Sequence, residues 1–335
     1  MAIDSQAYTT IDYERDGKHF GKIEVPLSTN RSGWATLFVD IAVIKNGAGP
    51  TAVLFGGNHG DEYEGPTALM KLARRLMPDE ITGRVIIVPA LNPPAVDVGT
   101  RHSPIDGRNI NRAFPGQRDE VSVTGIIAHY MAHEIIPKAD LVVDIHSGAV
   151  TAHWIPCVNM HHVDDEKQMN QMIDTAKVWG TPYIFIYRDI AGSGLLTGYA
   201  ESLGKVTLGT EIGSAAQYGK EMVAITERGV DNVLHYAGIL DGDIVAPDVE
   251  PQIVAADRHE DYIMTPVNGV FEPFVELGDQ VEEGQALGQI HALERPFDEA
   301  TPVRAETNGM VISRRQFPRT QRGDFLTAIV RPWSG

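Results

Sequence analysis

Three side chains with metal-ligand chemistry stand directly after apolar, strand-like segments of this chain. Residues 51–57 (TAVLFGG) lead into a turn that carries His59 and Glu62, and residues 141–145 (LVVDI) lead into His146. Imidazole and carboxylate groups are good ligands for Zn²⁺, and a catalytic zinc site needs three protein ligands and one open position. In a tight turn, the spacing of His59 and Glu62 lets both side chains reach one point. The pattern therefore predicts a catalytic zinc site made of His59, Glu62 and His146.

Asp144 precedes His146 by two residues on a predicted strand, so both side chains face the same side of the sheet. The carboxylate could therefore hydrogen-bond to the imidazole and orient it for a metal. It could equally be a buried acid paired with backbone donors. The residues alone leave both interpretations open.

A second group of polar residues lies in a loop rich in Asn, Gly and Pro. Residues 106–116 (DGRNINRAFPG) contain Arg108 and Arg112, and Arg101 precedes them. Arginine binds carboxylates through two parallel hydrogen bonds. Beside a metal, such a loop could hold a substrate carboxylate and polarise a scissile carbonyl. Without the metal set, surface arginines would be the simpler interpretation.

A further carboxylate, Glu211, lies in the segment GTEIGS at the end of another apolar strand. A carboxylate in that position can take a proton from a metal-activated water and pass it to a leaving amine. The alternative is a strand-end acid with a structural role, and both interpretations stay open.

The elements that must position these side chains alternate between apolar strands and helical segments of about 10–15 residues, the rhythm of βαβ units. Strands are predicted at residues 51–57, 84–90, 141–145, 183–187 and 206–211, with an antiparallel edge within 20–44. Helices are predicted at residues 66–77, 121–136, 166–179, 195–203 and 221–240. The pattern indicates an α/β fold with a mixed sheet flanked by helices, in which ligands bind at the carboxyl ends of the strands. Residues 1–243 form this α/β domain.

The pattern changes after residue 243. Residues 244–261 hold several acids and prolines and are predicted to be a linker. Residues 262–335 show short strands separated by Asn-Gly, Gly-Asp and Glu-Gly turns, which are strong hairpin signals. This segment resembles the flattened β-barrel of biotinyl and lipoyl carrier domains. No lysine follows Lys220, so no attachment site is available and a structural cap is the expected role.

Composition narrows the classes of function. The net charge is −17, from 45 acidic and 28 basic residues, whereas nucleic-acid binding leaves a basic footprint. No apolar run approaches the roughly 20 residues of a membrane span, and the first residues lack the features of a signal peptide. The single cysteine, Cys157, excludes an intramolecular disulfide. We therefore expect a cytoplasmic protein with a small-molecule substrate. The oligomeric state is open, a homo-oligomer included.

Four motifs occur in the order found in one known family. They are GGNHGDEYEG, DGRNINRAFPG, DIHSG and GTEIG, and they span roughly residues 50–215. With them the chain resembles the succinylglutamate desuccinylase/aspartoacylase family, within the zinc carboxypeptidase superfamily. The resemblance implies an amide hydrolase that removes an acyl group from an N-acyl amino acid, with one Zn²⁺ per chain. Longer stretches around the first two motifs favour an acetyl group.

The resemblance also implies a role for each motif residue. His59, Glu62 and His146 would hold the zinc ion, and Glu211 would be the general acid/base. Asn111 and Arg112 match the pair that binds the substrate carboxylate. Arg101 is preferred as the arginine that polarises the carbonyl, with Arg108 as the alternative for that role and as a further substrate-binding residue. Asn109 stands where relatives usually carry aspartate. The contact that this aspartate makes beside the metal ligands in relatives is therefore an open question for this chain.

Three classes of function remain for comparison with the structure. The first is the zinc deacylase, whether of the acetyl, aspartoacylase or desuccinylase type. The second is a zinc carboxypeptidase, which would need an open groove for peptides. The third is a non-catalytic binding module, which the intact set of ligands and the presence of Glu211 disfavour.

Overall fold

A mixed β-sheet with helices on both faces organises the larger part of the chain. The computed structural model describes residues 5–188, 193–214, 217–246 and 249–335. Among these residues the helices are α1 (Glu64–Arg75), α2 (Pro93–Val98), α3 (Val123–Tyr130), α4 (Glu166–Lys177), α5 (Leu196–Ser202) and α6 (Lys220–Tyr236). The strands of the larger part are β1 (Tyr8–Thr9), β2 (Gly17–Thr29), β3 (Ser32–Asn46), β4 (Thr51–Gly56), β5 (Gly83–Val88), β6 (Leu141–Ile145), β7 (Ala152–Trp154), β8 (Cys157–His161), β9 (Tyr183–Tyr187) and β10 (Val206–Glu211).

The central strands of the sheet are parallel, and the strand direction reverses on each side of them, between β3 and β5 and between β10 and β8. Strand order runs β1-β2-β3-β5-β4-β6-β10-β8-β9. β4 pairs in parallel with β5 and with β6, and β10 pairs in parallel with β6. β2 and β3 form the antiparallel hairpin expected at the edge. The predicted α/β fold with a mixed sheet is therefore confirmed.

Alternation of apolar side chains along the buried strands creates two separate cores. In β4, Leu54 packs with residues of α1, α4 and α6 on one face, whereas Val53 and Phe55 pack with α3 and α5 on the other. Because successive side chains of a strand point to opposite faces, a strand buried on both sides must be apolar throughout. All six residues of β4 are buried, as this rule requires.

Two local differences from the predicted elements have physical causes. The helix predicted at 121–136 ends at Tyr130 and continues as a π-helical turn, Met131–Ile135, and a 3-10 turn, Ile136–Lys138. Pro137 lacks the N–H that an α-helix would need there. β7 and β8 were not predicted, because histidine and asparagine residues interrupt the apolar pattern that marks a strand.

The C-terminal part is all-β, as expected, and its strands continue the main sheet. They are β11 (Gln252–Ala256), β12 (Tyr262–Met264), β13 (Gly269–Pro273), β14 (Gln280–Val281), β15 (Ala286–His291), β16 (Thr301–Arg304), β17 (Gly309–Arg315), β18 (Arg319–Thr320) and β19 (Phe325–Pro332). β11 pairs in parallel with β9 and antiparallel with β19, and β7 pairs with β17. β13, β15, β16 and β18 form a separate four-stranded antiparallel sheet.

The predicted linker at residues 244–261 is wrong for the residues of β11. Val254 and Ala256 pack into a cluster with Phe185 of β9 and Met310 of β17, and burial of these apolar groups holds the segment in the sheet. Residues 247 and 248 of the predicted linker lie outside the described residues. The division of the chain into two domains stays a prediction. Within the described ranges, no helix combines the length and the apolar character needed to cross a membrane.

We predict that Gly229→Ala destabilises the protein, whereas Gly198→Ala does not. A Cβ atom at Gly229 in α6 would lie 2.2 Å from the nearest ring atom of the fully buried Trp179. Overpacking of this kind costs about 1–3 kcal/mol of unfolding free energy. At Gly198 in α5 the nearest atom is 3.7 Å away, so alanine should add up to about 1 kcal/mol through helix propensity. Urea unfolding of both variants measures the two changes, and a Gly229→Ala protein as stable as the parent would contradict the packing.

Candidate active site

The carboxyl ends of three parallel strands meet at one edge of the sheet and carry the chemistry. His59 and Glu62 follow β4, His146 follows β6, and Glu211 is the last residue of β10. In the register of the sheet, Phe55 of β4 lies beside Asp144 of β6, and Asp144 lies beside Gly209 of β10. Residues that follow these positions therefore project over the same edge.

Two imidazoles and one carboxylate form a buried cluster at this edge. One potential ligand atom from each of His59, Glu62 and His146 lies within 4.8 Å of the other two. Nδ1 of His59 is 2.8 Å from Oε1 of Glu62, and Nδ1 of His146 is 2.7 Å from Oε2 of the same carboxylate. The three side chains predicted from the sequence as metal ligands are thus brought together, with both Nδ1 atoms facing one point.

The second nitrogen of each imidazole is held by an acceptor outside the cluster. Nε2 of His146 lies 2.9 Å from Oδ2 of Asp144, a carboxylate that also accepts from Asn58 at 2.9 Å. Nε2 of His59 lies 3.2 Å from Oδ1 of Asn109. Each ring can donate its Nε2 proton to that acceptor, which leaves the Nδ1 lone pair for a metal. Asp144 thus makes the contact to His146 that was proposed for it. The amide oxygen of Asn109 accepts from His59 in the same way, so this contact does not require an aspartate at position 109.

The charges inside the cluster fit a metal site. Burial alone would raise the pKa of Glu62, but the charges of His59 and His146 and their hydrogen bonds outweigh it, so the pKa lies well below its usual range. Burial lowers the pKa of His59, which favours the neutral ring that metals bind. Burial also opposes the charged form of His146, but the carboxylates of Asp144 and Glu62 raise its pKa. Glu62 is therefore an ionised carboxylate at neutral pH.

Glu211 faces the same cavity in a different electrostatic state. Burial is the largest cause, and the nearby charge of Glu62 adds to it, so the pKa of Glu211 rises to about 8 even though His146 and Arg101 act in the opposite direction. Its Oε2 atom is buried and has no hydrogen-bond partner among the described residues. A carboxyl group with a raised pKa can both hold and release a proton near neutral pH.

Arg101 reaches the cluster from the solvent side. Its Nη1 atom is 3.3 Å from Nδ1 of His59 and 3.6 Å from Oε1 of Glu62, while 41% of its side chain stays exposed. The guanidinium group thus stands beside the point at which the three ligands converge.

Asn111 and Arg112 of the loop at residues 106–116 also line the cavity. Oδ1 of Asn111 accepts from the backbone N–H of Leu196 at 2.9 Å, and its Nδ2 atom lies 3.5 Å from Nε2 of His146. Nη1 of Arg112 donates to the backbone carbonyl of Asn111 at 2.6 Å. These contacts fix the pair next to the cluster.

Arg108, the alternative substrate contact, lies outside the set of residues that line the cavity. Its guanidinium pairs with Glu120 at 3.0 Å and donates to the hydroxyl of Ser122, the residue that caps α3. The structure thus gives Arg108 a role in anchoring the start of α3, and Arg101 is the arginine that reaches the cluster.

The cavity has a volume of about 360 Å³ and joins the cluster to an aromatic wall. The wall is formed by Trp154, Phe185, Tyr187, Tyr262 and Phe325, of which the last two belong to the C-terminal part. Sequence reasoning missed these residues, because Phe185 and Tyr187 lie in a strand whose apolar pattern already explains them and the others come from segments distant in the chain. Asn159 also lines the cavity and was missed, although a polar residue inside the buried segment CVNM is a signal that could have found it.

Two imidazoles, one carboxylate and an open side toward the cavity form a donor set that fits a divalent metal of the zinc type. Ligand atoms around a tetrahedral zinc ion stand about 3.3 Å apart, given bond lengths of roughly 2.0–2.2 Å. The Nδ1 and Oε atoms of the cluster lie 2.7–2.8 Å apart, so they need to separate by only a few tenths of an ångström. With Glu211 and Arg101 beside it, such a site could activate water against an amide carbonyl.

A comparison with models of known protein families matches the part of the chain that contains the candidate site. Residues 48–237 match the family model described as the succinylglutamate desuccinylase/aspartoacylase catalytic domain. The match contains all eight residues that the sequence singled out for the site. It covers more than half of the 335 residues.

Similar proteins extend the likeness to almost the whole chain. An N-alpha-acetyl-L-2,4-diaminobutyric acid deacetylase of Halomonas elongata is 40% identical over 321 residues, which are 96% of this chain and 93% of the relative. The product-bound structure of the ectoine utilization protein EutE (DoeB) from Ruegeria pomeroyi is 36% identical, with a TM-score of 0.92 over 97% of this chain and 99% of the other. A succinylglutamate desuccinylase/aspartoacylase structure from Rhodobacter sphaeroides gives the same identity and TM-score over 98% and 100% of the two chains.

We predict that the cluster binds one divalent metal ion per chain and that His146→Ala loses most of it. Removing one of three ligands leaves too few donors for tight binding. Elemental analysis after extensive dialysis measures the metal content, and His259→Ala, at an exposed position in the C-terminal part, is the control. A His146→Ala protein that kept the full metal content of the parent would disprove the assignment.

Proposed function

The chain belongs to the succinylglutamate desuccinylase/aspartoacylase family, and from this premise we propose that it is a zinc-dependent hydrolase of N-alpha-acetyl-L-2,4-diaminobutyrate. The reaction releases acetate and L-2,4-diaminobutyrate, and we propose that it serves the degradation of ectoine. One observation carries the proposal. His59, Glu62 and His146 converge in the same cavity as Glu211 and Arg101. The identity of 40% to a deacetylase of this name supports the choice of substrate.

The proposed chemistry begins with the acyl group beside the cluster. Zn²⁺ held by the three ligands would supply a Lewis acid that makes water nucleophilic near neutral pH. Arg101 donates a hydrogen bond to the acyl oxygen, because its guanidinium already lies 3.3–3.6 Å from the ligand atoms. A cation at that point stabilises the negative charge that develops on the oxygen during attack.

Glu211 moves the protons in this mechanism. Its carboxylate accepts one proton from water as the new bond to the acyl carbon forms. It then donates that proton to the amide nitrogen as the carbon–nitrogen bond breaks. The pKa of about 8 matches a group that must both accept and release a proton near neutral pH.

Asn111 and Arg112 bind the α-carboxylate of the substrate in this proposal. Asn111 is fixed by the backbone of Leu196, and Arg112 by the backbone of Asn111, so both side chains are positioned before a ligand arrives. Arginine and a carboxylate form a charge-assisted pair. The carboxylate would thus sit beside the cluster and leave the side chain of the substrate to point along the cavity.

The shape of the cavity favours a small amino acid derivative over a peptide. Tyr262, Met264 and Phe325 of the C-terminal part line the same cavity as the cluster, whereas a peptidase would need an open groove. The cytoplasmic location and a homo-oligomeric state stay predictions.

We predict that N-alpha-acetyl-L-2,4-diaminobutyrate is preferred over its N-gamma isomer, N-acetylaspartate and N-succinylglutamate. The dicarboxylic substrates carry an additional negative charge that this proposal leaves without a partner. Comparing kcat/KM for the four compounds, with zinc content determined on the same sample, tests the substrate. A preference of tenfold or more for either dicarboxylic substrate, about 1.4 kcal/mol of discrimination, would assign the chain to another branch of the family.

We predict that Glu211→Gln folds and keeps its metal but turns over about 10²–10⁴-fold more slowly than the parent. This is the usual effect of removing a general acid/base. The amide keeps the shape of the side chain and cannot accept the proton. Glu299→Gln, at an exposed position in the C-terminal part, is the matched control and should hydrolyse at the rate of the parent. Turnover of the Glu211→Gln enzyme within a few-fold of the parent would rule out the proposed role.

A further inference from the structure

We propose that Asn159 selects substrates whose short side chain ends in an ammonium group, by accepting a hydrogen bond from that group. The inference rests on the proposed function, which places an acetylated amino acid in the cavity. In that function the acyl group, the reacting proton and the α-carboxylate all have partners, whereas the side-chain amine has none.

The register of the sheet places Asn159 next to the reacting groups. Asp144 of β6 lies beside Gly209 of β10, Gly209 lies beside Asn159 of β8, and Asn159 lies beside Phe185 of β9. These four residues form one row across the sheet. Since adjacent strands lie about 4.8 Å apart, the backbone of Asn159 is roughly 10 Å from that of Asp144, the partner of His146.

Gly209 leaves the space through which Asn159 can reach the substrate. A Cβ atom at Gly209 would lie only 2.2 Å from Oδ1 of Asn159. The amide therefore leans over the glycine, from β8 toward the cluster. Because Gly209 is the neighbour of Asp144 in the sheet, the amide oxygen above Gly209 lies about one strand spacing, roughly 5 Å, from the backbone of Asp144. The two nitrogens of 2,4-diaminobutyrate, joined by three carbon atoms, span a similar distance.

Asn159 is mostly buried, and its amide has no hydrogen-bond partner among the described residues. Asn159 is 8% exposed and lines the cavity. Its side chain makes no hydrogen bond to any residue in the part of the chain that the structure describes. An amide that lines a cavity and has no partner among the described residues is free to accept a hydrogen bond from a ligand there.

The surroundings of the amide favour a cation over an anion. Phe185 and Tyr187 stack with their ring centroids 5.4 Å apart, and Trp154 lies 5.7 Å from Phe185. Aromatic faces attract ammonium groups. The cations that line the cavity are Arg101 and Arg112 on the cluster side and Arg188, which is exposed and follows the last residue of β9. A carboxylate beside Asn159 would find a donor in the amide but would be repelled by the negative π-faces of the aromatic rings.

The test compares two substrates that differ only at the end of the side chain. N-alpha-acetyl-L-2,4-diaminobutyrate carries the ammonium group, and N-acetyl-L-norvaline carries a methyl group in its place. We expect Asn159→Ala to lower the ratio of their kcat/KM values by about tenfold or more, through loss on the ammonium substrate. Asn159→Asp keeps the acceptor and adds a negative charge, so the ratio should stay the same or rise. Thr151→Ala, which also alters a residue lining the cavity, is the control and should leave the ratio unchanged.

Each result decides the question. Equal losses on both substrates in Asn159→Ala, or a fall of the ratio in Asn159→Asp, would overturn the role of Asn159 and leave the deacylase function intact. If Asn159→Ala did not fold, the Asn159→Asp variant would decide alone: an unchanged or higher ratio of kcat/KM values would support the role of Asn159, and a lower ratio would overturn it. If the unaltered enzyme hydrolysed neither substrate, the proposed function would be wrong, and the inference would fall with it.

Discussion

A buried carboxylate held between two buried imidazoles is the interaction on which the site depends. Both oxygens of Glu62 face a ring nitrogen, at 2.8 Å from His59 and 2.7 Å from His146. An unpaired carboxylate in this position would cost several kcal/mol. The pairing requires the ends of β4 and β6 to lie side by side, so the parallel register of the central strands is a condition for the chemistry.

The orientation of the two rings rests on two different acceptors. Asp144 holds His146 with a charged carboxylate, whereas Asn109 holds His59 with a neutral amide oxygen. Asn109 also accepts from the backbone N–H of Asn111, which determines which way its amide points. The amide therefore orients the ring of His59 without adding a further negative charge beside Glu62 and Asp144. Such a charge would raise the pKa of Glu211 still further.

The C-terminal strands shape the substrate end of the cavity. Because β11 pairs with β9 and β19 pairs with β11, the main sheet extends into the C-terminal part without a break. This continuity brings Tyr262 and Phe325 into the wall of the cavity that holds the cluster. The cavity thus combines the polar cluster with an aromatic enclosure, which suits a small ligand with a polar head and a short side chain.

The sequence alone singled out a candidate metal-binding set and determined the order of the central elements along the chain. Apolar strands followed by His59, Glu62, His146 and Glu211 are a local pattern, and burial on both faces demands such strands. Only the tertiary structure decided that Arg108 turns to Glu120, that residues 252–256 join the sheet, and that Asn159 faces the cavity. These outcomes depend on pairing between segments distant in the chain. The direction in which a side chain points follows from that pairing and leaves no periodic signal in the sequence.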